Sequence, residues 1–213
     1  MPIIGLAGYA GTGKDTVARI MQYINAGDTG GITLQQVLKE EDTHGWWLEV
    51  KSGWRTKSYA HKLKMVASLL TGIPAYKFNS QDFKKSNLGS EWGFMSVREF
   101  LQRLGTDAIR KGLHESTWVN ALWSDFGPTD KWIITDVRFP DEAQAVKDRG
   151  GLMYRVTRSN VGAVNNHSSE LALDHWKFDG IINNDSTIEE LVTEVSFIMN
   201  HLNFKDGNKT SEH

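Results

Sequence analysis

Short unbroken apolar runs alternate along this chain with stretches in which apolar residues recur every three or four positions. The run Ile3-Ile4-Gly5-Leu6-Ala7 stops at a glycine cluster and reads as a buried strand. From Asp15 to about Tyr23, Val17, Ala18, Ile20 and Met21 follow helical spacing, closed by Asn25-Ala26-Gly27. The run Trp132 to Asp136 predicts a second strand, and Pro140 to Asp148 a helix with proline in its first turn. Leu152 to Val156 and Asp179 to Asn183 predict two more strands, and Ile188 to Leu202 a closing amphipathic helix. Between these lie a helix over Ala60 to Leu70, with Leu63, Val66, Ala67 and Leu70 on one face, and a long one over Val97 to Leu113. The long helix carries Val97, Phe100, Leu101, Leu104 and Ala108 as its stripe, with Ser96 placed to cap it; Trp118 to Phe126 predicts a further helix. Strands alternating with helices make this an α/β protein, a mostly parallel sheet covered on both faces. Residues 27–57 and 75–95 are less regular. In the first, Leu34 to Leu38 reads as a short amphipathic stretch, and Trp46 to Val50 with Trp54 to Tyr59 as a hairpin turning at Ser52-Gly53.

With 213 residues, 39% hydrophobic and 23% charged, the chain has room for one well-cored domain. We expect that domain over 1–205, with 27–57 and 75–95 as insertions and 206–213 as a disordered polar tail. The 24 basic and 26 acidic residues leave a formal charge of -2, which gives no field for holding nucleic acid regardless of sequence. Cysteine is absent, so neither a disulfide framework nor a thiolate metal site exists. Met1 to Ala7 lacks a basic segment ahead of an apolar leader, and no apolar run is long enough for a bilayer; a cytoplasmic protein without membrane contact is expected.

Gly8-Tyr9-Ala10-Gly11-Thr12-Gly13-Lys14 fits GxxxxGK between the first strand and the first helix, where a phosphate loop belongs. The glycines let backbone N–H groups converge on phosphate oxygens, the helix N-terminus adds positive potential, and Lys14 can reach the terminal phosphates. The bland alternative is a glycine turn that binds nothing. Asp15 stands where Ser or Thr is usual, and the hydroxyl comes at Thr16, followed by Val17. Thr16 is therefore the candidate for phosphate and Mg²⁺.

Asp136 ends an apolar run, where such proteins place the acidic residue of the metal shell; capping the next turn is the alternative. Arg138, two positions on, would share its face in an extended strand. Arg98, Gln102, Thr106 and Arg110 recur at four-residue steps as a polar stripe, suited to a phosphate and a base edge or to plain solvation. Arg158 opens a polar stretch that reads as a lid over 157–167, ending in His167-Ser168-Ser169-Glu170. From the residues alone, His167 and Glu170 read more readily as a local structural pair than as groups with a chemical role. Trp132 and Trp176 sit in apolar runs and suit a core, whereas Trp46, Trp47, Trp54 and Trp92 could serve core, interface or a stacked base. The histidines show no metal-ligand spacing.

GYAGTGKDTVA at 8–18, YAHKLK at 59–64, REFLQRLGTDAIR at 98–110 with Trp118-Val119 after it, TDVRFPDEA at 135–143, HSSE at 167–170 and DGIINNDSTIEEL at 179–191 together resemble the phage-type deoxynucleoside monophosphate kinases. The resemblance implies a P-loop kinase fold and transfer of the γ-phosphate of ATP, with Mg²⁺, to a deoxynucleoside monophosphate. It implies that Gly8, Gly11, Thr12, Gly13, Lys14, Asp15, Thr16 and Val17 hold ATP, with Thr16 and Asp136 near the metal. It implies that Lys64, Arg98, Gln102, Arg110, Asp136, Arg138, His167 and Glu170 serve the acceptor, and that Lys14, Arg138 and Arg158 act on the transferred group. Asn184 to Thr187 would approach the adenine. The rival readings are a phosphomevalonate or dephospho-coenzyme A kinase, and an ATP-binding protein without catalysis. A phage-encoded kinase would work in the host cytoplasm, and its subunit number stays open, a homodimer among the options.

Overall fold

Strand β1 (Ile3–Ala7) is buried at every position, so it needs neighbours on both edges and cover on both faces. The computed structural model, which describes residues 2–39, 45–162 and 171–209, supplies both. With β2 (Trp54–Lys57), β3 (Lys131–Ile134), β4 (Leu152–Thr157) and β5 (Gly180–Asn183) it forms a five-stranded sheet in the order β2-β3-β1-β4-β5. Every pairing is parallel. β1 lies in the middle, Ile4 opposite Ile133 on one side and Leu152 on the other. This α/β architecture is that of a P-loop kinase.

On one face, α1 (Lys14–Asn25) and the last helix, α9 (Ile188–Lys209), bury Val17, Ile20, Met21, Leu191, Val195 and Met199 against Ile4, Leu6, Ile133, Val156 and Ile182. Helix α8 (Pro140–Asp148) joins β3 to β4 and packs on β1 and β4, burying Ala143 and Val146 completely. The crossover from β1 to β2, which begins with α1, and the crossover from β3 to β4, which is α8, run in opposite directions across the sheet. Right-handed crossovers therefore put α8 on the face opposite α1.

The chain divides into two compact units, Met1–Lys57 with Gly127–His213, and Ser58–Phe126. The first contains the sheet, with α2 (Leu34–Lys39) and α3 (Gly45–Ser52) ahead of β2. The second contains α4 (Tyr59–Thr71), α5 (Gln81–Lys85), α6 (Val97–Gln102) and α7 (Thr117–Trp123), around a core of Ala67, Phe78, Val97 and Phe100. Trp92 stacks edge-on against Phe100 at 4.8 Å between ring centroids, so it is a packing residue.

Several elements differ from expectation. The hairpin over 46–59 does not form: its first arm is α3, which buries Leu48 and Ser52 one turn apart, and its second is β2, paired in parallel with β3. Gly53, at φ +71°, ends α3 in the left-handed conformation that glycine accepts readily. Ser96 caps α6 as expected, its hydroxyl accepting from the Glu99 N–H at 3.1 Å. The helix then changes form, and Arg103–Lys111 is a π-helix. Its hydrogen bonds reach one residue further, which shifts the inward face along the sequence. Gly105 and Arg110 are buried and Ala108 is exposed, against the expected stripe. Leu70 is also exposed. α9 continues to Lys209, past the point where a polar tail was expected.

Candidate active site

The glycines after β1 are required by contact as well as by backbone conformation. Gly8 has φ +144°, and a Cβ there would stand 2.3 Å from the Val156 carbonyl oxygen. Gly13 has φ +91°, and its Cβ would stand 2.3 Å from Asn184 Nδ2. Only glycine satisfies both limits at once. The loop folds around its own carbonyls: Lys14 Nζ donates to Gly8 O and Tyr9 O, each at 2.8 Å. The buried Thr12 hydroxyl donates to Tyr9 O at 3.0 Å. Asn184, just past β5, donates from Nδ2 to Thr12 O at 2.9 Å and from its backbone N–H to Thr157 O at 2.9 Å, so two strand ends brace the loop.

Helix α1 opens at Lys14 with Gly13 in the left-handed region as its cap. Asp15 lies exposed in the first turn, where helix N–H groups favour negative charge. Thr16 is half-buried in the same turn, and Val17 is anchored in the core, its N–H donating to Gly13 O at 2.9 Å. Anions bind at such helix starts.

Asp136 follows the end of β3 and is half-buried. It is fixed from both sides: Thr135 N–H donates to Lys57 O at 3.1 Å, and Val137 N–H to Leu6 O at 3.2 Å. Because β3 ends at Ile134, Asp136 and Arg138 do not share a strand face, contrary to expectation. Arg138 is instead set by Glu142, a buried carboxylate on α8 whose Oε2 accepts from the N–H groups of Arg138 at 2.8 Å and Phe139 at 3.1 Å. Glu142 was missed in the sequence, although a Glu at the third position of a helix opened by Pro140 is half of a capping box. Exposed Arg138 lines a small cleft with Gly8, Tyr9, Arg155, Asp174 and Phe178.

Arg158, exposed at the end of β4, lines a second cleft of about 240 Å³ with Tyr9, Thr12, Ser159, Val161 and Asp185. Asp185 accepts the Ser159 N–H, and that bond holds its carboxyl below the usual carboxylate range. Thus the loop, Asp136, Arg138 and Arg158 stand together at the carboxyl edge of one sheet, where ligands bind in open α/β folds.

Lys64, Arg98, Gln102 and Arg110 belong to the second unit. Lys64 Nζ donates to Asn79 Oδ1 at 2.8 Å and Arg98 Nη2 to Gln81 Oε1 at 3.4 Å. Gln102 is exposed and Arg110 buried, so the change to π-helix breaks up the single polar stripe expected of the four residues. His167 and Glu170 lie outside the described residues. Trp54 is a core residue, and Trp46 is 77% exposed.

The family model for deoxynucleotide monophosphate kinase matches residues 53–195. The chain belongs to the deoxynucleotide monophosphate kinase family. A protein of Acanthamoeba polyphaga mimivirus, provisionally named a deoxynucleotide monophosphate kinase, is 27% identical over 209 residues, covering 92% of this chain and 94% of its own. The deoxynucleotide monophosphate kinase of Escherichia phage RB69 is 28% identical over 122 residues, and that of Enterobacteria phage T4 29% over 115. These two matches cover 54% and 52% of this chain and 48% and 46% of the phage proteins. Family membership makes the chain a kinase, a phosphotransferase. The phosphate loop at 8–14 precedes the stretch that the family model matches, so loop and family match are separate lines of support.

Proposed function

We propose that the protein transfers the γ-phosphate of ATP to a deoxynucleoside monophosphate, giving ADP and the deoxynucleoside diphosphate. One observation carries this reading: within a family of kinases, the loop that presents Lys14 leaves the central strand beside Asp136 and Arg138, with Arg158 across the second cleft. The acceptor phosphate oxygen attacks the γ-phosphorus as the bond to the ADP oxygen breaks. The obstacle is repulsion between anions, which positioning and neutralisation overcome without a general base. Lys14 exchanges loop carbonyls for phosphate oxygens, and Arg138 and Arg158 offset charge on the transferred group.

The donors fit a magnesium ion: a hydroxyl at Thr16 and a half-buried carboxylate at Asp136 are hard oxygens, few enough for nucleotide phosphates to complete the shell. Among the described residues no group of three or more metal-ligating side chains competes with them. Thr16 and Asp136 would hold Mg²⁺, which when bound would supply neutralisation of phosphate charge. From the resemblance, and not from a shared geometry, we assign to the acceptor Asp136 and Arg138, and likewise Lys64, Arg98, Gln102, Arg110, His167 and Glu170. No helix among the described residues is long and apolar enough to cross a membrane, and we place the reaction in the cytoplasm, that of the host for a virus-encoded enzyme.

The test is ADP release from ATP and Mg²⁺ with dAMP, dGMP, dCMP and dTMP, each offered singly beside its ribose form. Turnover on at least one deoxynucleotide is expected. ADP release that no nucleoside monophosphate accelerates would overturn the assignment.

A further inference from the structure

Tyr9 is the second residue of the phosphate loop, and both of its ends are held. Inside the loop its carbonyl accepts from Lys14 Nζ at 2.8 Å and from the Thr12 hydroxyl at 3.0 Å. Outside, its phenol donates to the two carboxylate oxygens of Asp174, at 3.1 and 3.2 Å. Asp174 in turn accepts from Arg155 Nη2 at 2.6 Å. Arg155 comes from β4 opposite Ala7, the last residue of β1, and its guanidinium lies 5.4 Å from the Tyr9 ring centroid and 5.7 Å from that of Phe178. Hydrogen bond, ion pair and cation–π contact thus converge on one side chain.

A carboxylate beside an anion site repels the ligand, so Asp174 is costly there unless it does something in return. Its charge is cancelled by Arg155, and what remains is a rigid acceptor for the Tyr9 phenol. The side chains of Arg155 and Asp174 are only 21% and 28% exposed, so water screens the pair incompletely. The phenol's proton is held more tightly than usual by burial and by Asp174, in the direction that favours the donor form.

We propose that Asp174 is a positioning residue of the phosphate loop: with Arg155 it fixes Tyr9, and through Tyr9 the two carbonyls on which Lys14 rests, in the shape that receives the donor nucleotide. The proposal rests on the reading of the loop as the ATP site. Nothing in it requires Asp174 or Arg155 to touch the reacting phosphates. The consequence belongs to donor binding: a loop released from Asp174 must be ordered by ATP itself.

The experiment is steady-state transfer with donor and acceptor varied in turn, for the wild type, Tyr9→Phe, Asp174→Ala and the double variant. Tyr9→Phe removes only the phenol oxygen and should raise the KM for ATP about tenfold, the worth of a bond to a charged acceptor. kcat at saturating ATP and the KM for the acceptor should stay within about twofold of wild type. Asp174→Ala should do the same, and the double variant should be no worse than about twofold beyond either single, because all three break one connection. An unchanged KM for ATP in Tyr9→Phe, or effects that multiply in the double variant, would overturn the proposal while leaving the kinase assignment intact. A wild type without acceptor-dependent transfer would overturn both.

Discussion

The Lys14 ammonium holds two neutral carbonyls at 2.8 Å, and a nucleotide must offer something better. Phosphate does, since its own negative charge adds ion-pair attraction to a bond that, with a carbonyl, is charged on the donor side alone. Lys14→Ala should therefore lower kcat/KM by at least about 10²-fold while leaving the denaturant midpoint near that of wild type, as measured by transfer assay and urea unfolding. Gly13→Ala acts differently. It places a Cβ 2.3 Å from Asn184 Nδ2 at a φ of +91°, so it should cost about 1–3 kcal/mol of stability, read from denaturant curves. Glu142→Ala leaves the Arg138 and Phe139 N–H groups without their carboxylate and should destabilise by about 1–3 kcal/mol, with reduced turnover as Arg138 loses its anchor. The loop residues were legible because backbone geometry dictates their spacing. Arg155 and Asp174 were not singled out, because what makes them matter is a partner in space, and hydrophobic periodicity carries no trace of it; Glu142 had a local signal, its place in the first turn of the helix that Pro140 opens.

Among elements, the π-helix after α6 was the least legible, because a change of hydrogen-bond register leaves the residue types of a helix unchanged. Its inner side shows one stabilising contact: the buried Trp118 indole donates to Gly105 O at 2.9 Å. Trp118→Phe should cost about 1 kcal/mol in urea unfolding, the net worth of a neutral hydrogen bond. β1, β3, β4 and β5 announced themselves as apolar runs, whereas β2, with the sequence Trp-Arg-Thr-Lys, is an edge strand buried fully only at Trp54 and reads as polar. The tie between the loop after β1, β4 and Asp174 has a pH signature. The Arg155 hydrogen bond holds the Asp174 carboxyl below its ordinary value. Its contribution to stability is complete above the ordinary carboxylate range and is lost as pH falls through the lowered folded value. Thermal melts between neutral and acidic pH should show Asp174→Asn less stable than wild type near neutrality, with the gap narrowing on acidification.

For the whole molecule, the two compact units have separate cores of different character. Among the described residues the sheet unit buries β1 completely and gathers thirteen buried residues into one cluster, whereas the cluster of the second unit has four. In hydrogen exchange followed by mass spectrometry, amides of β1 and β3 should outlast those of α5 and α6, and comparable protection in both units would contradict this. The order of the strands has a further consequence, at the ribosome. Ile3 pairs with Trp132, so β1 waits for a partner on the order of 130 positions downstream. At translation rates of about 5–20 residues per second, five core residues stay unpaired for roughly 6 to 25 seconds during each round of synthesis. A nascent chain arrested before residue 131 should be held by chaperones through that segment, and one extended past β4 should be released.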